Sequence, residues 1–366
     1  MMGLMRWISG LAGGVLLVVT FASVLRTMVV PRGMHSMLVL RLWQMIRGLL
    51  RLLVAPFPGY PPRDRVLAWL APLVLVAMLG SWLGGMFVGY GLIMHAISGL
   101  PFGASFREAG SSMFTLGYAS TDRLQLSALD FLAAASGPLV IALQIAYLPT
   151  LYGAYNRRET EVTLLQSRAG EPAWGPELLA RQVMVGTESA LPELYRAWER
   201  LAAEIGESHA NYQILLSFRS PQPLRSWIVG LISVMDAAAI QLAVSPRSAP
   251  PEARLVLRAS FTALRDIARV IGIPFDPDPD PDGPIQLSYE EFLGAVAMIG
   301  ASGFHLERKA AEAWPQFRGW RANYETIAYE LCRRGDAVPA LWTGPRDFPA
   351  VPIPPNRPTD RRPLTR

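Results

Sequence analysis

Cysteine occurs once in the 366 residues, at Cys332, which excludes an internal disulfide and any cysteine-based zinc site. Lysine also occurs once, at Lys309, so the formal charge of +5 is an arginine charge. The arginines flank apolar runs and follow helix faces without forming a basic stripe, which argues against a nucleic-acid partner. Charge itself is scarce, at 17% of residues against 51% hydrophobic, and the mean hydropathy of +0.25 is too high for a wholly water-soluble chain. Signatures of catalysis are missing as well. There is no phosphate-cradling glycine loop with lysine, no H-E-x-x-H and no G-x-S-x-G, and His35, His95, His209 and His305 are scattered. No enzymatic activity and no cofactor are expected.

What is present is unevenly distributed. Residues 1–155 hold three long apolar runs, and residues 156–366 have ordinary soluble composition. A bilayer core of about 30 Å takes roughly 20 apolar residues in helical form. Trp7–Leu25 just meets that length and reads as a retained first span; a cleaved signal peptide is the alternative, against which stand the length of the run, a basic region of Arg6 alone and the lack of an A-x-A-like site. Ala71–Ile97 is the second span. Gly80, Gly84, Gly85 and Gly89 predict that one of its faces packs on another helix. Leu126–Tyr155 is the third, interrupted by Asp130, Gly137-Pro138 and Pro149; the central proline predicts a kink, either static packing or a hinge.

Arg26, Arg32, Arg41, Arg47, Arg51, Arg63 and Arg65 lie between the first two spans, opposed only by Asp64. The segment from Ser98 to Arg123 is balanced, and Arg157, Arg158 and Arg168 follow the third span. The positive-inside rule then puts the N-terminus outside, the first loop inside, the second outside and the C-terminal half in the cytoplasm of a multi-pass cell-membrane protein. Within the first loop, Met37–Val54 places Arg41, Gln44, Arg47, Gly48 and Arg51 on one arc among apolar residues, the pattern of a helix lying in the membrane interface. No span carries arginines at three-residue spacing, so voltage sensing is not expected.

Between the second and third spans the chain reads Phe106-Arg107-Glu108-Ala109-Gly110-Ser111-Ser112-Met113-Phe114-Thr115-Leu116-Gly117-Tyr118-Ala119-Ser120. The segment is too short and apolar for a simple solvated loop, and Phe106–Phe114 fits two to three helical turns. Non-helical backbone at membrane depth must line a water-filled path or be buried in protein. With its short helix, Thr115-Leu116-Gly117-Tyr118 and the flanking spans, the region Ala71–Tyr155 resembles the pore-loop potassium channels, whose filter signature is T-x-G-Y-G.

The resemblance implies an all-α membrane protein with three transmembrane helices, a re-entrant pore helix and a filter loop. In it the backbone carbonyls of Thr115, Leu116, Gly117 and Tyr118 would replace the hydration shell of K+, the permeant ion. Leu116 and Tyr118 would pack behind the filter, Gly117 would supply left-handed backbone, and Gly137-Pro138 would sit near the gating hinge. The second signature glycine is Ala119 here, and the acidic residue that commonly follows is Ser120. A β-carbon resists φ > 0, so selectivity is less secure than pore formation; Asp122 is a candidate for a partial mouth carboxylate, though an exposed loop aspartate is the better reading. One pore loop per chain implies a homotetramer within the lipid membrane. The alternative from another class is a non-conducting membrane scaffold or sensor that keeps the pore-loop fold; a third reading is a plain three-span interaction protein with a coincidental TLGY.

The C-terminal half follows a helical rhythm without alternating strands, which predicts an all-α domain. Helices are expected over 176–186, 190–218, 223–244, 251–271, 288–301 and 319–333, with Ser288 and Glu291 as a capping box. Trp227–Val244 is apolar enough to span, but Asp236 at its centre favours a buried core helix. Asp278, Asp280, Asp282 and Gly283 fit positions 1, 3, 5 and 6 of a calcium loop, whereas position 12 is Tyr289 and Glu290 comes one residue late, so an acidic, proline-stiffened loop is the better reading. The eight prolines of 337–366 predict a disordered tail. The expected organisation is a first span in 1–33, an interfacial helix and loop in 34–65, a pore domain in 66–156, a helical domain in 157–336 and the tail. The ligand or partner of the helical domain is not legible.

Overall fold

The computed structural model describes residues 2–30, 36–119 and 124–356, and the described chain is helical, its only β-pairing being two isolated bridges. Ser120 and Asp122 lie outside the described residues. Two compact units divide the chain: unit 1 comprises Met1–Ala55 and Trp69–Tyr152, and unit 2 comprises Pro56–Ala68 and Gly153–Arg366. Among the described residues, four helical segments are long and apolar enough to cross a membrane: Gly3–Met28, Tyr60–Ser98, Leu126–Ala169 and Trp227–Val244.

Unit 1 is organised around α4 (Leu70–Ser98). Helix α1 (Met2–Met28) packs along it through small residues. A β-carbon on Gly13 would stand 2.6 Å from the Gly89 carbonyl oxygen, and one on Gly85 would stand 2.6 Å from the Thr20 hydroxyl. The contacts of Gly10 with Ala96, Gly13 with Gly89 and Thr20 with Gly85 run in opposite sequence order, so the two helices are antiparallel. At one end Arg6 donates to the carbonyls of Ala96 and Ile97 at 2.8 and 3.1 Å, where a cation meets the negative end of the α4 dipole. At the other, Trp82 Nε1 donates to Ser23 Oγ at 2.9 Å. The glycine face expected from the sequence is therefore real at Gly85 and Gly89, but Gly80 and Gly84 face open space. Helix α2 (Met37–Val54) also packs on α4 and buries Leu50 and Val54.

Unit 2 is a helical bundle that begins inside the first loop, with α3 (Tyr60–Leu67), a helix the periodicity did not predict. Pro61 and Pro62 start it, since a proline in the first turn forfeits no helical hydrogen bond. Helix α6 (Leu124–Ala169) runs unbroken through Pro138 and Pro149 and enters unit 2 at Gly153, so the helix that carries the third apolar run continues past Tyr155. Then come α7 (Gly175–Met184), α8 (Leu191–Asn211), α9 (Trp227–Val244), α10 (Glu252–Ile271), α11 (Tyr289–Ala301), α12 (Ala310–Ala322) and α13 (Glu325–Arg334).

All eighteen residues of α9 are buried, and α7, α8, α10, α12 and α13 pack around it. Asp236 is paired there rather than exposed to solvent: Arg321 donates to it at 2.5 Å and Tyr324 at 2.6 Å, and Arg321 also donates to Glu325 at 2.8 Å. Burial pushes the Asp236 carboxyl above its ordinary value while the Arg321 guanidinium pulls against it. The Ser288 and Glu291 capping box is present.

Three expectations fail. The helix expected over 190–218 ends at Asn211, and a short 3-10 helix over Gln213–Ser217 follows it. The single helix expected over 319–333 is two helices, broken where Asn323 turns its amide back to the Gly319 carbonyl at 2.9 Å. The expected tail is not disordered over 337–356. Ala337, Val338, Ala340 and Trp342 are buried, the Trp342 carbonyl accepts from Arg321 at 2.8 Å, and the Asn356 carbonyl accepts from Arg181 at 2.9 Å. In the acidic loop, the carboxylates of Asp276 and Asp280 accept from the backbone of Asp278 and Asp282, and Asp282 pairs with Arg318, so three of these acids already have protein partners.

Candidate functional site

Within unit 1, α4 ends at Gly99, whose φ of +70° closes the helix, and Pro101 starts α5 (Phe102–Met113). Three contacts fix the direction of α5. Phe102 stacks on His95 with ring centroids 3.9 Å apart, Phe106 fills the space above Gly91, and Gly110 lies against Phe87. As α5 advances its partners on α4 recede, so α5 runs back antiparallel along α4. Gly110, three residues before the end of α5, lies level with Phe87, eleven residues or about 17 Å from the end of α4 at 1.5 Å per residue, so α5 returns along α4 by at least roughly half the thickness of a bilayer core.

The segment 114–119 leaves that point in non-helical conformation: its first two N–H groups, of Phe114 and Thr115, donate to the carbonyls of Gly110 and Ser112, and three of those that follow are held by Ser111. The Ser111 carbonyl accepts from the N–H groups of Leu116 at 2.8 Å and Gly117 at 3.3 Å, and the Ser111 hydroxyl accepts from the N–H of Ala119 at 2.9 Å. In a trans peptide the C=O of one residue points opposite to the N–H of the next. The carbonyls of Thr115, Leu116 and Tyr118 therefore turn away from Ser111. Positive φ occurs at Thr115, +55°, and Gly117, +69°. For a β-branched threonine that conformation is strained by about 1–3 kcal/mol. Ala119 is not left-handed, so the β-carbon conflict expected from the departing signature does not arise in this backbone.

No protein-family model, curated protein or solved structure matches this chain. The geometry of the segment therefore stands without a relative to interpret it.

Thr115, Leu116, Gly117, Tyr118 and Ala119 form one continuous stretch at the end of α5, and α6 brings Gly137 to the same place. A β-carbon on Gly137 would overlap the Met113 carbonyl oxygen, so a glycine is required there by close approach of α6 to the end of α5. Pro138 lies next to it inside continuous helix. This gives Gly137 a packing role that the sequence left open between a static kink and a hinge.

Three supporting residues are invisible to motif reading. Ser111 holds the middle and the outer end of the segment; Ser112 Oγ donates to Asp130 Oδ1 on α6; and the Arg107 guanidinium lies 5.5 Å from the Tyr118 ring centroid. The only available signal is the doublet Ser111-Ser112 just before a helix end, where hydroxyls commonly satisfy terminal backbone groups. Phe114, Leu116 and Tyr118 are 46%, 63% and 55% exposed in the single chain, and Phe131, Leu132, Leu139 and Ile145 on α6 are exposed too. So much exposed carbon around an irregular backbone calls for covering groups from outside the chain.

Proposed function

We propose that this chain is one subunit of a homotetrameric cation channel, with potassium as the expected permeant ion and residues 114–119 as its filter. The observation that carries the reading is the three-point hold of Ser111, which turns the carbonyls of Thr115, Leu116 and Tyr118 away from α5. Four such segments around an axis offer rings of oxygen to a dehydrated cation.

The antiparallel return of α5 along α4 supports a re-entrant placement, with the filter near mid-membrane. Irregular backbone at that depth is tolerated only in protein or beside water, and one chain leaves it uncovered. Neighbouring subunits would pack against Leu116, Tyr118 and the exposed carbon of α6, while α1, α4 and the membrane portion of α6 span and α2 lies in the interface. The arginine-rich loops favour unit 2 in the cytoplasm.

Cation uptake into liposomes containing the purified protein tests this, with rubidium or potassium against sodium and Gly117→Val in parallel. Valine at φ +69° is strained, so the variant is expected to lose flux while still assembling. Uptake favouring potassium and lost in the variant is the expected result. Equal sodium uptake would make the pore weakly selective, unchanged flux in Gly117→Val would overturn the filter assignment, and no uptake by a tetramer would favour the scaffold.

A further inference from the structure

Helix α3 stands in sequence between α2 and α4, two helices of unit 1, yet it is built into unit 2. A connection that merely joined α2 to α4 would be solvated. Instead Tyr60, Asp64 and Leu67 are each less than 5% exposed. Their anchor is the turn 215–219. Arg219 donates to Asp64 Oδ1 at 2.7 Å and to the Tyr60 hydroxyl at 3.1 Å, and its second nitrogen donates to the carbonyls of Gly335 and Asp336, each at 2.9 Å.

The same turn is held from α6. Arg158, 1% exposed, donates to the carbonyls of Leu215 at 3.1 Å and Phe218 at 2.8 Å, and the Tyr155 hydroxyl donates to the Arg219 carbonyl at 3.2 Å. The turn is thus held by α3 through the Arg219 guanidinium and by the part of α6 beyond Gly153 through three backbone carbonyls. Only Ala68 and Trp69 separate α3 from α4, and no break separates Arg158 from the rest of α6.

We propose that the turn 215–219 is a latch through which unit 2 ties the base of α4 to the base of α6. It controls how far the two helices can part, and so regulates the pore. The regulatory half of this inference rests on the channel reading; the mechanical half does not. The ion pair suits a two-position device. Closed, it is satisfied by direct hydrogen bonds away from water; opened, both groups must be resolvated, which makes intermediate positions unfavourable. Cutting such a tie widens the range of motion, and a coupling of ordinary size would change flux about fivefold.

The test uses the full chain in liposomes, with spin labels on cysteines placed at Arg65 and Asn156, both exposed; Cys332 is fully buried and stays unlabelled. Pulsed dipolar spectroscopy reads the distance between α3 and α6. A narrow distribution is expected in the parent and a broadened, longer one in Arg219→Gln, with Asp64→Asn as the milder variant should the first fail to fold. Rubidium uptake by the same vesicles should rise about fivefold in the released variant, and Gly117→Val should silence it. A distribution unchanged in folded Arg219→Gln and Asp64→Asn would overturn the latch. Broadening with unchanged flux, in a channel that Gly117→Val silences, would overturn its regulatory role. Broadening in a protein that never conducts would uphold the tie and sink the channel reading instead.

Discussion

Helices α9 and α6 are both apolar enough to cross a membrane, yet α9 is wholly buried and only a third of the α6 window is. Unit 2 surrounds α9 with five helices and even pairs the charge at its centre, whereas α6 leaves Phe131, Leu132, Leu139 and Ile145 uncovered. The difference teaches that hydropathy reports the need to leave water and says nothing about what replaces it. A buried carboxylate with a guanidinium partner marks a helix covered by its own chain. A small-residue seam beside exposed carbon marks one that needs lipid or further subunits.

The sharpest way to break this comparison is to unpair α9. Arg321→Leu leaves Asp236 and Glu325 as buried carboxylates without their guanidinium, and removing one member of a buried pair costs about 3–5 kcal/mol. Unit 2 is expected to lose its cooperative thermal transition or to melt far below the parent, read by circular dichroism of the full protein. A melt within a degree or two of the parent would mean that α9 is not held as described.

Unit 1 should break at a different kind of contact. Gly137→Ala puts a methyl group against the Met113 carbonyl, and forced overpacking costs about 1–3 kcal/mol. Gly84→Ala, facing open space, should be neutral or slightly stabilising. Detergent thermal stability of the two variants separates a packing glycine from an ornamental one. Equal melts would return Gly137 to the role of a free hinge.

How much of this was legible depends on whether a residue acts through its neighbours in sequence or in space. Helix α2 is read to its ends, Met37–Val54, because its arginine arc is periodic. Ser288 and Glu291 are legible because a capping box is local. Helix α3 is not, since eight residues beginning Tyr-Pro-Pro are recruited by Arg219, more than 150 positions away. The segment 337–356 was misread because proline content hides Trp342, which joins the core beside Phe317 and Arg321. At the candidate filter the residues themselves are visible in the string TLGY, but the serine that orients them is not, because its hydrogen bonds are made only after α5 ends beside the segment.

A smaller effect separates the units by pH. Burial first, and then the adjacent Arg158, hold the His209 imidazole well below its ordinary value, and Arg158 donates to its Nε2 at 2.8 Å. The native state keeps His209 neutral while the unfolded chain takes up a proton below about pH 6.5, so stability is full above that pH and falls by about 1.4 kcal/mol per unit beneath it. The thermal transition of unit 2 should shift down between pH 6.5 and 5, and His209→Gln, which keeps an acceptor for Arg158 without titrating, should flatten the slope. An unchanged slope in that variant would assign the acid sensitivity to other groups.

Only a small change in stability is expected at the residue with the largest functional claim. Ser111→Ala removes one hydroxyl and frees the Ala119 N–H, a loss of about 1 kcal/mol, while the Ser111 backbone carbonyl continues to hold Leu116 and Gly117. The inner part of the segment should therefore keep its geometry and the outer part, at Tyr118 and Ala119, should loosen. If these carbonyls bind the ion, the variant should assemble and melt almost as the parent does but discriminate potassium from sodium less well in the uptake assay. Ser111→Thr, which retains a hydroxyl, should restore the discrimination. Loss of assembly in Ser111→Ala would show instead that the serine holds subunits together, and unaltered selectivity would detach the outer carbonyls from the conduction path.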